Sequence, residues 1–511
     1  MGGTKTGLTA QMTARLTARL TGRLTGRAGA VAVLAPAAVM LGLGLWGLDR
    51  GTMWRDEGAT FQVARRSVPE IVRMLGTVDV VHGLYYLLMH AVLAVRADEQ
   101  TLRLPSVAAA ACTAALVGAL GCRLARPRVG LWAGLLYAAT PFVSHYAQEG
   151  RSYALVAAGA ALATWLLVRA VEHGGRAWWW TGYGAVVAVT ALLHEFAVLL
   201  LAAHGLTLLV SRVSWRVLRG WLCAAVAACA VLAPLVLLSR RQSEQVSWIR
   251  TPRYEQAKAL LYAFAGPRDL VLVGVLLLSA VAVLAPLPRT GPLRLNAVAL
   301  PLALVPPVLL YAASQEQPLF LDRYLLFCLA GVPLLAAAGA ERLLEPLARR
   351  RAVTAAGALA VAAAFVWQLP LQERERLPGS RGDEPARVAA AVGRLARPGD
   401  AVLFLPHYER RTALFYPRDF TGLYDLTLKR SAAASGTLFG EDVDAAELRA
   451  RLARLSARDR VWVVWDTNTV GTPWFRGQRA ESAKTGALDE LYRERSTTYV
   501  RGGAVSLYVR R

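Results

Sequence analysis

The feature that most constrains this chain is a series of long, nearly uncharged apolar runs. Ala28 to Trp46, Phe196 to Val210, Trp221 to Leu238 and Asp269 to Leu287 are each long enough, or almost so, to cross hydrocarbon as a helix. With 55% hydrophobic residues over 511 positions and a mean hydropathy of +0.37, the chain is too apolar for an ordinary soluble protein of its length. It reads as a polytopic integral membrane protein, mainly α, in which lipid rather than a large soluble core takes up the apolar surface.

A formal charge of +23 would point to nucleic acid in a soluble protein. Here many arginines fall in short connectors between apolar runs, where the positive-inside rule places them, so membrane lipid and not nucleic acid is the expected partner. Cys112, Cys122, Cys223, Cys229 and Cys328 all lie in apolar segments and offer neither a disulfide framework nor a zinc spacing. Near the N-terminus, Arg15, Arg19, Arg23 and Arg27 recur every fourth residue, which stacks them on one helix stripe. This arm, residues 1–28, reads as a retained cytoplasmic orientation signal, with an interfacial lipid-binding arm as the alternative.

Topology turns on Leu84 to Val95, about twelve residues where about twenty are normal for a crossing. If it lies at the interface, the spans are 29–48, 105–122, 130–143, 154–170, 178–193, 196–210, 220–238, 269–287, 295–313, 322–340 and 353–370, about eleven in all. The cytoplasmic connectors then carry Arg123, Arg126 and Arg128, Arg169 and Arg176, Arg212, Arg216 and Arg219, Arg289 and Arg294, and Arg342 with Arg349 to Arg351. Counting it as a span would turn all of these outward, against the charge rule. The expectation is therefore a transmembrane domain over 29–371, with one long outer loop at 49–104, followed by an extracytoplasmic domain at 372–511.

In that tail the apolar runs shorten and charges become regular. Pro385 to Leu395 and Asp444 to Leu455 predict helices, Ala401 to Leu405 and Val461 to Trp465 predict strands, and Thr497 to Val500 with Ala504 to Val509 predict a hairpin. The result is a small α/β domain with no Gly-rich phosphate loop, which argues against a nucleotide role.

Candidate chemistry gathers in the segments expected outside. Asp56 and Glu57 follow the first span in Met-Trp-Arg-Asp-Glu-Gly-Ala-Thr and suit a general base or a metal ligand, against a plainer reading as solvated loop charges. Asp79, His82 and Arg103 come later in the same loop, where Tyr85 and Tyr86 read as interfacial belt anchors. Glu149 and Arg151 sit in His-Tyr-Ala-Gln-Glu-Gly-Arg-Ser-Tyr and are costly near a bilayer unless paired or functional, with a structural salt bridge as the bland reading. Arg323, at the outer end of a span, could clamp a lipid phosphate. His194-Glu195 is two neighbouring residues and not a metal site, so a capped helix end is expected there.

Taken together, Trp-x-Asp-Glu, Asp-x-x-His with Leu-Tyr-Tyr-Leu-Leu, Arg-Leu-Pro-Ser, Tyr-Ala-Gln-Glu-Gly-Arg-Ser-Tyr-Ala-Leu and a late Arg-Tyr-Leu resemble the GT-C glycosyltransferases. The branch most similar is the bacterial one containing protein O-mannosyltransferase-like and aminoarabinose transferase-like enzymes, and the resemblance covers roughly residues 30 to 340. It implies sugar transfer, with mannose a candidate, from a polyprenyl-phosphate donor to an envelope acceptor (protein, polysaccharide or lipid) on the outer face. Asp56 matches the family's catalytic acid residue, acting as base in an inverting single displacement, with Glu57 beside it. Asp79, His82, Arg103, Glu149 and Arg151 match substrate-binding positions, and Arg323, or a neighbour such as Arg240, Arg241 or Arg250, suits the donor phosphate. Where many relatives carry His-Pro-Pro, this chain has Val81-His82-Gly83, which leaves the role of His82 open. No cofactor is implied with certainty; a divalent metal on Asp56, Glu57 and Glu149 is one variant of the chemistry. The rivals are a polytopic transporter or lipid-linked sugar flippase, and a non-catalytic cell-wall assembly protein. Charges gathered at one face and the absence of a half-to-half repeat favour the enzyme.

Overall fold

The computed structural model describes residues 26–347, 350–456 and 460–511. The arginine arm expected at 1–28 lies outside them, apart from residues 26–28. The chain forms two compact units, one from Met1–Leu48 with Arg103–Arg374 and one from Asp49–Leu102 with Glu375–Arg511. The segment expected as an outer loop of the membrane domain is thus grouped, up to Leu102, with the tail.

In the first unit, Arg27–Leu45, Glu99–Leu124, Tyr153–Glu172, Trp215–Arg241, Leu295–Ala313 and Arg351–Arg374 are long and apolar enough to cross a membrane. Two further pairs, Tyr254–Ala265 with Asp269–Leu284 and Asp322–Cys328 with Gly331–Leu344, are bent by 81° and 49° and raise the count to 8 if each is one span. The remaining expected spans are helical but short: Pro127–Ala139 has 13 residues, Ala177–Leu193 has 17 and Leu199–Val210 has 12. Trp215–Arg241 and Arg351–Arg374 leave most of their apolar surface exposed, as lipid-facing helices do.

With no hydrophobic gain available between helices in lipid, close backbone approach has to hold them. A Cβ at Gly118 would stand 2.3 Å from the Ala32 carbonyl oxygen, and one at Gly121 2.6 Å from the Gly130 Cα. The connector arginines supply the second device. Arg123 contacts Glu172 at 2.7 Å, Arg126 contacts Glu341 at 2.6 Å, and Arg128 forms a very short ion pair with the same, fully buried Glu341. This ties the turn before Pro127–Ala139 to the helix Gly331–Leu344.

The second unit contains the helix Gly83–Leu93, 11 residues long and about half a crossing, in line with a non-spanning reading of Leu84 to Val95. Tyr85 and Tyr86 are not belt anchors: both are fully buried, Tyr86 in a core with Val63, Ile71 and Met74. Protein packing, not headgroups, takes their rings.

The tail is a three-layer α/β domain. Its five-stranded sheet runs β2 (Tyr424–Asp425), β1 (Ala401–Leu405), β5 (Val461–Trp465), β7 (Gly503–Arg510), β6 (Tyr492–Val500). The first three are parallel, and β6 and β7 form an antiparallel hairpin closed at Val500–Gly503. Strands β1 and β5 read as unbroken apolar runs because both faces are covered. Leu403, Leu405, Val461 and Val463 pack with Leu448, Leu452 and Leu488, while Val402, Phe404, Trp462 and Val464 pack with Val388 and Val392. A separate short pair, β3 (Leu428–Arg430) and β4 (Glu441–Asp442), flanks the sheet's β2 end. Arg410, beyond β1, contacts Asp425 and Asp442, each at 2.6 Å, so one buried guanidinium fastens this pair to the main sheet.

Glu409 and Arg411, also beyond β1, are buried and ion-paired. Burial, only partly offset by Arg411, pushes the Glu409 carboxyl up to about 7.

Two stability predictions follow these buried charges. Glu341→Ala strands two arginines and is expected to cost on the order of 2 kcal/mol, whereas Glu345→Ala, at a half-exposed pair, costs under about 1 kcal/mol. Thermal midpoints of the purified protein check this, and equal losses would refute it. For Glu409 the folded state favours the protonated carboxyl, so its stabilising contribution is complete below the ordinary value of 4.5 and is lost as pH rises through about 7. In Glu409→Gln the thermal midpoint should fall less between these two pH values than in the unmodified protein, by the equivalent of about 3 kcal/mol.

Candidate active site

The residues singled out from the sequence divide between the two units. In the second, the helix Arg55–Ala64 begins at Trp54, whose backbone is extended and whose side chain makes no capping hydrogen bond. Asp56 and Glu57 occupy its first turn, where negative charge suits the helix dipole. The two differ in access: Asp56 is half-buried, while Glu57 is 0% exposed. Only the Asp56 carboxylate of this pair can meet a substrate from outside. Its backbone carbonyl also accepts from the Thr60 hydroxyl at 3.1 Å, which steadies the turn.

Asp79 adopts a left-handed conformation with φ of 63°. Its carboxylate accepts a very short hydrogen bond from the Tyr86 phenol and lies 3.9 Å from His82 Nε2, whose ring meets Tyr86 edge-on. Asp79, His82 and Tyr86 thus form one cluster at the mouth of the helix Gly83–Leu93.

In the first unit the chain leaves helical geometry between Ala147 and Tyr153. The Gln148 amide donates to the Gly44 and Trp46 carbonyls at 2.9 and 2.8 Å, satisfying acceptors that the end of Arg27–Leu45 leaves open. Ser106 donates to the Glu149 carbonyl at 2.6 Å, and Arg103 donates to the Leu48 carbonyl at 3.1 Å. Glu149 is buried with His145 Nε2 at 3.4 Å, so its ion-pairing partner in the same turn is a histidine. Arg103, Glu149 and Arg151 are all buried here.

Distances among aromatic rings extend this site. Tyr153, His194 and Tyr324 are mutually adjacent, with centroids 5.7, 4.7 and 6.3 Å apart, and Phe196 lies 5.4 Å from Tyr324. His194 is the C-cap residue of the helix Ala177–Leu193, its backbone N–H donating to the Thr190 carbonyl. Arg323 stands next to the group, its guanidinium 5.9 Å from the Trp248 ring and 5.7 Å from Tyr324, with its backbone N–H donating to Asp322 at 2.7 Å. A cation with an aromatic wall can hold a phosphate while the rings exclude water.

Among the described residues no three His, Cys, Asp or Glu side chains come together as a metal ion requires.

The sequence reading did not single out Asp383, Glu409, Arg411 or Tyr416. Met53 N donates to the Tyr416 hydroxyl at 3.1 Å, that hydroxyl donates to Glu99 at 2.9 Å, and Arg55 N donates to Asp383 at 3.3 Å. Burial pushes the Asp383 carboxyl above its ordinary range despite Arg55 and Arg411 nearby. Burial, with the Glu99 carboxylate, likewise raises the Tyr416 phenol. These residues stand more than 300 positions from Asp56, and no local motif announces them.

Residues 83–237 match the model of the dolichyl-phosphate-mannose-protein mannosyltransferase family. No curated protein matches the sequence. Among solved structures, ArnT from Cupriavidus metallidurans bound to undecaprenyl phosphate superposes with a TM-score of 0.61 at 15% identity, over 94% of this chain and 98% of that one. Its apo form gives 0.61 at 14% identity, over 93% and 97%. The archaeal oligosaccharyltransferase AglB from Archaeoglobus fulgidus, in complex with an inhibitory peptide and a dolichol-phosphate, gives 0.51 at 9% identity, over 94% and 74%. At these identities the structures speak for the fold alone. Residues 83–237 are thus similar to that mannosyltransferase family, and the chain as a whole shares the fold of ArnT.

Proposed function

We propose that the chain transfers a sugar from a polyprenyl-phosphate carrier to a hydroxyl-bearing acceptor at the outer face of the membrane, with Asp56 as the general base. The observation that carries this reading is the difference between two neighbouring carboxylates, Asp56 half-buried and Glu57 fully enclosed. Asp56 takes the acceptor's proton as the acceptor oxygen attacks the anomeric carbon. The bond from that carbon to the phosphate oxygen breaks, and configuration inverts. Charge then grows on the departing lipid phosphate, and the cation assigned to it in this reading is Arg323, whose neighbouring Trp248 and Tyr324 rings support an anion-binding role. Glu149 and Arg151 shape the donor side, with Ser106 bracing their turn and Arg103 held on the Leu48 carbonyl. Asp79 and His82 line the acceptor side.

A polyprenyl tail remains in lipid while its sugar waits at the interface. An apolar cavity of about 490 Å³ between Trp132, Val271, Ala336 and Trp367 supports lateral access by such a chain. The undecaprenyl phosphate bound to ArnT and the dolichol-phosphate bound to AglB support the same donor class. Mannose and aminoarabinose are the first sugars to try, and protein, polysaccharide and lipid the acceptor classes. The N-terminus and the arginine connectors face the cytoplasm in this reading, and the α/β domain at 372–511 faces outward.

Membranes containing the chain, supplied with a panel of polyprenyl-phosphate sugars, should turn over one of them. Asp56→Asn should abolish that transfer at unchanged protein abundance; undiminished transfer removes Asp56 from the mechanism. Arg323→Ala should lower kcat by on the order of a hundredfold, the size expected for loss of one transition-state charge partner. A reporter fused after Arg128 should be cytoplasmic and one after Arg381 external, and reversed labelling of either overturns the orientation.

A further inference from the structure

The structure assigns the C-terminal domain a part in catalysis: we propose that Tyr416 and Asp383 are positioning residues that hold the Met53–Glu57 segment and so aim the Asp56 carboxylate. The assignment rests on the reading of Asp56 as the base.

A helix leaves its first backbone N–H groups without internal acceptors, and a side chain at the residue before the helix ordinarily supplies one. Here that residue is Trp54, which provides no capping hydrogen bond. The acceptor for Arg55 N–H is instead Asp383 Oδ1, at 3.3 Å, and Asp383 Oδ2 lies 3.5 Å from the Arg55 guanidinium. Two residues earlier the Tyr416 hydroxyl accepts from Met53 N–H while donating to Glu99, which fixes the direction of the phenol. Two tethered backbone amides therefore directly precede Asp56.

The same helix is gripped along its length. A Cβ at Gly58 would stand 2.2 Å from the Phe415 ring, so only glycine lets the helices Arg55–Ala64 and Arg411–Phe415 approach this closely. At its far end Gln62 donates to the Leu438 carbonyl at 2.9 Å, and Arg66 donates to the Thr437 and Ala432 carbonyls at 2.9 and 3.3 Å. Each of these partners lies in the tail. A base must meet its proton within hydrogen-bond reach, and a misplacement of about 1 Å costs on the order of a hundredfold in rate.

The test uses the full-length protein and the polyprenyl-phosphate sugar that it turns over. Tyr416→Phe removes both phenol hydrogen bonds and keeps the ring. Asp383→Asn keeps a carbonyl acceptor for Arg55 N–H, and Asp383→Ala keeps none. Tyr416→Phe and Asp383→Ala should each lower kcat about ten- to a hundredfold while KM for the donor stays within about twofold, and Asp383→Asn should retain more of kcat than Asp383→Ala. Hydrogen exchange of the peptide spanning Met53 to Phe61 should accelerate in Tyr416→Phe and Asp383→Ala, at a thermal midpoint near that of the unmodified protein. Unchanged exchange, or faster exchange with kcat intact, overturns the proposal. Transfer that survives in Asp56→Asn overturns the reading of Asp56 instead, so the two failures are distinct.

Discussion

A backbone amide at the start of a helix must find an acceptor, and for Arg55 that acceptor is a carboxylate 328 residues further along the chain. Much of the second unit follows from meeting this demand. Trp54 contributes an indole and no capping oxygen, so the segment bearing Asp56 draws its order from Asp383 and Tyr416. Phe415 closing on Gly58 adds a steric stop, and Arg66 bonding to the chain around Thr437 anchors the other end. A carboxylate on a free loop would sample many directions; Asp56 sits in the first turn of a helix whose start is held by Asp383 and Tyr416.

Charge is handled by a matching economy in the membrane unit. Arginines next to apolar helices are expensive unless paired. Arg123 has Glu172, and Arg126 and Arg128 share Glu341, which is itself fully buried. The connectors thereby serve both as charges that the positive-inside rule can read and as joints between helices. Arg323 also lies against aromatic surface, its guanidinium near the Trp248 and Tyr324 rings.

The strands Ala401–Leu405 and Val461–Trp465 were legible in the sequence because a strand buried on both faces must be a continuous apolar run, and each is a short apolar run that follows an amphipathic helical pattern. The helices of the membrane unit were legible for a similar reason, although three of them fall short of a full crossing. Tyr85 and Tyr86 were misread as interfacial anchors, since a tyrosine pair on an apolar helix looks the same whether lipid headgroups or protein surround it. The cluster of Tyr153, His194 and Tyr324 draws on three separate connectors, and ring contacts between distant segments leave no periodic trace.

The sequence by itself determined the membrane class, the α/β character of the tail and the acidic pair after the first apolar run. Each of these is a local matter of composition, period or adjacency. Tertiary structure alone decided which carboxylate of that pair is reachable, because burial of Glu57 and access to Asp56 depend on what packs against one helical turn. It also decided that Tyr416 and Asp383 hold the turn in place. Hydrogen bonds spanning more than 300 residues are fixed by packing, and no spacing along the chain records them.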